Sequence, residues 1–135
     1  MLYNETKVRV RYAETDQMAY VYYGNYATYY EVGRVELIRS LGLSYKIMEE
    51  SGVMMPVLEN WSKFLKPAKY DDLLTIKVTV KEKPTARIKF DYEIFNELGI
   101  LLNIGFTALV FVDSKTLKPC SPPEIMTKIT DRFFE

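Results

Sequence analysis

The chain has no histidine. That one absence excludes Ser-His-Asp and Cys-His triads, HExxH zinc sites and histidine general bases together. Cysteine is nearly as scarce. Cys120 stands alone, so no internal disulfide can form, and a reducing, cytoplasmic setting is the expectation. Within Lys118-Pro119-Cys120-Ser121-Pro122 that thiol has no histidine to activate it, and it reads as structural. Net charge is also missing, with 18 Lys plus Arg against 18 Asp plus Glu, and no basic stripe interleaves with aromatic residues. Nucleic acid is therefore not an expected partner. The longest apolar run, Gly99 to Val112, is interrupted by Asn103, Gly105 and Thr107, so no membrane span is expected. Met1 to Thr6 is polar and does not read as a signal peptide. Any hydrolytic chemistry must rest on carboxylates, lysines, tyrosines, hydroxyls or backbone dipoles.

What is present fits one globular domain over residues 1–135, at 48% hydrophobic and 27% charged residues. Val8, Val10 and Tyr12 alternate with Arg9 and Arg11, which predicts a first strand. Ala13 to Ala19 has no clean period and reads as a loop. Asn25 is a candidate helix N-cap. After it, Tyr26, Tyr29, Tyr30, Gly33, Leu37, Ile38 and Leu41 form one stripe of a helix about four turns long. Gly42 stops that helix, and Gly33 within the stripe predicts a close approach to a sheet. A second short helix is expected from Ser44 to Ser51. Period two then takes over. Val53 to Phe64 reads as an extended strand with an irregularity at Pro56, followed by Leu74 to Val80 and Ile88 to Ile94. Asn96 to Gly99 reads as a hairpin loop, and Ile100 to Asp113 as one long strand, apolar on both faces and therefore central. One long helix against an antiparallel sheet is an α+β fold. A helix covers only one face of such a sheet, so a partner chain is expected on the rest.

One stretch concentrates chemistry. Asp16 lies in a loop shortly before a helix start, where free backbone amides and the positive end of the helix dipole gather. Such amides can hold a developing oxyanion, and a neighbouring carboxylate can attack a carbonyl or activate water. Tyr20, Tyr22, Tyr23 and Tyr26 offer flat apolar surface to an acyl or aryl group. On spacing alone the commoner alternative is that Asp16 bonds loop amides and the tyrosines are core.

The same stretch resembles the signature of the 4-hydroxybenzoyl-CoA thioesterase family, which is similar to R-Y-x-E-T-D-x-M-G-x-V-[YW]-[HF]-x-N-Y followed by F-E-x-A-R. The matching residues are Arg11, Tyr12, Glu14, Thr15, Asp16, Met18, Val21, Tyr22, Asn25, Tyr26, Tyr30, Glu31 and Arg34. Leu41-Gly42-Leu43, Pro56-Val57 and Pro67 to Leu74 look like later landmarks of that family, as do the Gly99 hairpin and Gly105-Phe106-Thr107. The resemblance implies a hotdog fold, a long helix wrapped by a five-stranded antiparallel sheet. It implies hydrolysis of acyl-CoA thioesters without metal or cofactor, coenzyme A being part of the substrate. It also implies a homodimer or tetramer with active sites at the subunit interface.

By the same resemblance, Asp16 is the catalytic nucleophile or general base, and the backbone amide at Tyr23 belongs to the oxyanion hole. Met18, Tyr22, Asn25 and Tyr26 contact substrate, and Arg87 and Lys89, with Lys63 and Lys66 as further candidates, meet the coenzyme A phosphates. Glu31 is the reserve catalytic carboxylate, though with Arg34 three residues on it reads first as half of an ion pair. Glu14, two residues from Asp16, points away if the loop is extended. Asp71-Asp72 organises a turn rather than a metal. Two positions depart from the pattern: Tyr23 stands where many members have His, and Ala19 stands where they have Gly. Competing readings are an acyl-acyl carrier protein thioesterase and a non-catalytic acyl-CoA or acyl-carrier binding module. A hotdog dehydratase would need a histidine. The sequence leaves the acyl group open.

Overall fold

The computed structural model describes residues 1–134. Strand β1 (Leu2–Arg9) leads through two single-turn 3-10 helices, Tyr12–Glu14 and Tyr23–Asn25, into helix α1 (Tyr26–Ser40). Helix α2 (Tyr45–Glu50) follows, then strands β2 (Val53–Met54), β3 (Val57–Phe64), β4 (Leu73–Val80), β5 (Arg87–Phe95), β6 (Leu101–Val110) and β7 (Val112–Asp113). Helix α3 (Glu124–Thr130) closes the order, with a last 3-10 turn after it. Five strands form one antiparallel sheet in the order β1-β4-β5-β6-β3, and β2 pairs with β7 in a small second sheet. The long helix against five antiparallel strands is the α+β hotdog arrangement.

Alternation sets the sheet's two faces. Leu74, Ile76, Val78 and Val80 of β4 are buried, as are Ile88, Phe90, Tyr92 and Ile94 of β5. They meet the α1 stripe of Tyr26, Tyr29, Tyr30, Leu37 and Ile38. Gly33 brings helix and sheet together as its place in the stripe predicts: a Cβ there would lie 2.7 Å from Val78 Cγ2 and 2.9 Å from Ile76 Cγ2. Ser44 caps α2 by accepting from Ile47 N at 3.1 Å.

The structure moves several boundaries. β1 starts at Leu2 rather than Val8, because it is an edge strand whose outer residues face water and so look polar in sequence. Tyr12 is not part of it; the chain turns into a 3-10 helix after Val10, which leaves Tyr12 exposed. The segment from Val53 to Phe64 divides at Pro56 into β2 and β3, and that from Ile100 to Asp113 divides at Phe111 into β6 and β7. The two breaks coincide because β2 pairs with β7 while β3 pairs with β6. β6 lies inside the sheet, but its outer face, including Ile104, Phe106 and Val110, is only half-buried in one chain. Asn25 does not cap α1. It has helical backbone, and its Nδ2 donates to the Glu14 carbonyl at 2.9 Å.

Candidate active site

The loop carrying Asp16 is closed by its own hydrogen bonds. Asp16 N donates to Tyr20 O at 2.8 Å and Ala19 N donates to Asp16 O at 3.0 Å. Asp16 Oδ1 accepts from Met18 N at 2.9 Å and Tyr20 N at 3.3 Å. Among the described residues Oδ2 has no donor, so the carboxylate keeps one oxygen for a ligand. The turn forces Ala19 to a φ of 62°, a conformation that favours glycine. The family's usual glycine at this position has a backbone reason.

Thr15 and Val21 bridge across the base of the loop. The chain then enters the 3-10 turn at Tyr23–Asn25, which runs directly into α1. Tyr22 N donates to Glu14 O at 2.9 Å and Asn25 N to Tyr22 O at 2.9 Å. Between them, the N–H groups of Tyr23 and Gly24 have no acceptor among the described residues. Two adjacent amides without acceptors at a helix start are groups that favour negative charge nearby.

A cleft of about 330 Å³ brings these parts together. It is lined by Asp16, Met18, Tyr20 and Val21 of the loop, by Tyr23 and Tyr26 at the helix start, and by Phe64 to Pro67 leaving the end of β3. Phe64 packs edge-on against Tyr26, with ring centroids 5.0 Å apart. Tyr22 packs against Tyr23 at the surface, the rings tilted by 44°, and does not line the cleft. Asn25 spends its side chain on Glu14 and likewise lies outside the lining.

The remaining predicted residues are dispersed. Arg87 and Lys89 start β5, whose register with β6 and β3 sets them level with Val57 and Glu59, opposite the Phe64 end. That is about 17–24 Å along the sheet from the cleft. Lys89 Nζ sits over the Phe106 ring at 4.5 Å. Lys66 lines the cleft. Glu31 is exposed on α1, away from the lining. The Glu31–Arg34 pair does not form: Arg34 is buried and its Nε donates to the Tyr45 hydroxyl at 3.1 Å. Asp72 Oδ2 accepts from Lys69 N at 2.9 Å, so the acidic pair organises its turn.

Glu14 does not line the Asp16 cleft, in keeping with a side chain that points away from it, but no signal in the sequence marks its burial. It is 8% exposed, and it points inward. Its Oε1 accepts from Arg11 N at 2.8 Å and from the Tyr29 hydroxyl at 2.9 Å, and its Oε2 from Arg11 Nη2 at 3.1 Å. Burial alone would raise its pKa, but the Arg11 amide, the Tyr29 hydroxyl and the Arg11 guanidinium together hold it below the usual carboxylate range. A 3-10 turn where the sequence reads as loop is what turns the side chain in, and no periodicity signals that turn. A second buried network was also illegible. Tyr30 bonds Ser62 and Asn103, and its ring stacks on Tyr92 at 4.1 Å. Burial raises both phenols to about 12.

A five-stranded antiparallel sheet wrapped on one long helix is the arrangement of the hotdog thioesterases. The family model described as "Thioesterase-like superfamily" matches residues 10–129, and the chain belongs to that family. Its class of activity is thioester hydrolysis. The chain is 34% identical over 116 residues to a putative acyl-CoA thioesterase of Bacillus subtilis, covering 86% of this chain and 84% of the relative. It is 32% identical over 129 residues to a chloroplastic acyl-acyl carrier protein thioesterase of Arabidopsis thaliana, covering 93% and 67%. The solved structure of a DHNA-CoA thioesterase from Staphylococcus aureus superposes with a TM-score of 0.86 at 38% identity, covering 99% of this chain and 85% of that one. No helix among the described residues is long and apolar enough to cross a membrane.

Proposed function

We propose that this protein hydrolyses acyl-CoA thioesters, with Asp16 as nucleophile or general base and the Tyr23 and Gly24 amides as the oxyanion hole. The observation that carries the reading is that the half-free Asp16 carboxylate shares a cleft with Tyr23, whose amide and that of the adjacent Gly24 lack acceptors among the described residues. The thioester oxygen accepts from those amides, which polarise the carbonyl and stabilise the charge that develops on it. Asp16 Oδ2 then adds to the carbonyl carbon, or takes a proton from a water that does. The carbon–sulfur bond breaks and the thiolate leaves; where Asp16 has added, a water then hydrolyses the acyl-aspartyl anhydride and frees Asp16, and on both routes the products are the acid and the thiol. Tyr20, Tyr23, Tyr26 and Phe64 surround the acyl group.

The active form is a dimer joined through β3. That edge strand is open, and Trp61, Phe64, Leu65, Val57 and Leu58 on or beside it are each more than 40% exposed. Residues opposite each other in an antiparallel pair share a face. Glu59, Trp61 and Lys63 share the outer face, opposite Ala108, Phe106 and Ile104 of β6. Among the described residues neither Glu59 nor Lys63 has an ion-pair partner. A two-fold at Trp61 places each Glu59 opposite the partner subunit's Lys63. That register also sets the partner's Arg87 and Lys89 about 14 Å across the strands from Leu65, within the length of an extended pantetheine arm. The dimer thus adds the partner's Arg87 and Lys89 to a cleft that one chain lines with Lys66.

Thiol release from a panel of acyl-CoAs, beside the same acyl groups on carrier protein, tests the reading. CoA esters turned over faster support it. Carrier-protein esters turned over alone would move the activity to that substrate, and release from neither would leave a binding module.

A further inference from the structure

We propose that Glu14 is the positioning residue of this site, fixing the Tyr23 and Gly24 amides at a working distance from Asp16; the proposal rests on the thioesterase reading above. Glu14 grips the site from both ends. Its carboxylate binds Tyr29 Oη in the first turn of α1 and the Arg11 amide and guanidinium two residues past the end of β1. Its carbonyl oxygen accepts from Tyr22 N and Asn25 Nδ2, the residues that bracket the two free amides. Asp16 is two residues away, and its loop is otherwise held mainly by bonds within itself and by Tyr70 N to Ala19 O at 3.4 Å and Val21 N to Ala68 O at 2.8 Å.

One buried side chain therefore links the strand that delivers Asp16 to the helix that delivers the oxyanion donors. Tyr29 supports that assignment. Burial and the Glu14 carboxylate push its phenol well up, so at working pH it remains a donor to Glu14. Glu14 does not line the cleft and cannot touch the ester, so any effect it has on turnover travels through the groups it holds. Because a misplacement on the order of 1 Å can cost about 100-fold in rate, a change at Glu14 should appear in turnover rather than in substrate affinity.

The test uses Glu14→Gln and Tyr29→Phe, assayed on benzoyl-CoA and hexanoyl-CoA and normalised to folded enzyme by circular dichroism. Glu14→Gln should lower kcat by about 30- to 100-fold with KM within about threefold, and Tyr29→Phe should lower kcat by a smaller factor in the same sense. A spectroscopic readout separates positioning from stability. Bound to Asp16→Asn, the 13C-labelled thioester carbonyl should stretch at a lower frequency than in buffer. In the Asp16→Asn, Glu14→Gln protein at least half of that shift should vanish. An unchanged kcat per folded molecule, a loss confined to KM, or an unchanged carbonyl shift each overturns the assignment while the thioesterase reading stands. No hydrolysis of either ester by the wild-type protein overturns both.

Discussion

Replacing Gly33 with alanine tests the contact that seats α1 on the sheet. The added Cβ would lie 2.7 Å from Val78 Cγ2 and 2.9 Å from Ile76 Cγ2, closer than real Cβ atoms come. Neither methyl can easily retreat, because both belong to β-branched side chains with 0% exposure in the middle of β4. Overpacking of this kind costs about 1–3 kcal/mol, and two contacts below 3 Å place the cost near 3. Alanine recovers about 1 kcal/mol over glycine through helix propensity. The net loss should be about 2 kcal/mol, which for a domain of this size lowers Tm by about 6–10 °C. Urea denaturation read by tryptophan fluorescence and circular dichroism measures it, with an unchanged m-value expected. A variant as stable as wild type would mean that the helix does not lie this close and that Gly33 is there for another reason. The same lift should move the Tyr23 and Gly24 amides, so kcat should fall in the folded variant as well.

Other predictions follow from local geometry. Ala19→Gly removes a left-handed strain of about 1–2 kcal/mol and adds about 0.5–1 kcal/mol of unfolded-state entropy, so thermal melting should show equal or slightly higher stability; a clear loss would contradict the strained turn. Lys63→Glu sets like charges opposite each other twice in the β3 dimer and should weaken association about 10- to 100-fold by light scattering, with Glu59→Lys restoring it in the double variant. If Lys63→Glu leaves association unchanged, the Trp61-centred register is wrong. Glu14 has a folded pKa depressed below its unfolded value of about 4.3. Its contribution is therefore complete above that pH and is lost as pH falls through the lower folded value. Between about pH 5 and 3 the wild type should lose stability more steeply than Glu14→Gln, and parallel pH profiles would remove Glu14 from the fold's charge network.

Much of this was legible in the sequence because burial leaves a period. The α1 stripe, the β4 and β5 alternations and the meaning of Gly33 each follow from residues that face one core. β1 was only half legible, since a strand wetted on one face looks like a polar tail. The split of β2 from β3 showed only as the irregularity at Pro56, and that of β6 from β7 was hidden, because a bend changes partners without changing residue type. Asp16 and the Tyr23 amide stood out through motif and helix start. Glu14 did not, because its importance lies in where a 3-10 turn points it. The distance of Arg87 and Lys89 from the cleft was illegible as well, since strand order is set by tertiary pairing.

The most direct test compares wild type with Asp16→Asn for thiol release from acyl-CoA esters. The substitution keeps the side chain's size and an oxygen that can accept from Met18 N and Tyr20 N, so the fold should survive. Turnover should fall by at least about 100-fold, the ordinary contribution of a positioned acid–base group. A folded Asp16→Asn protein that releases thiol at the wild-type rate would place the chemistry on another residue.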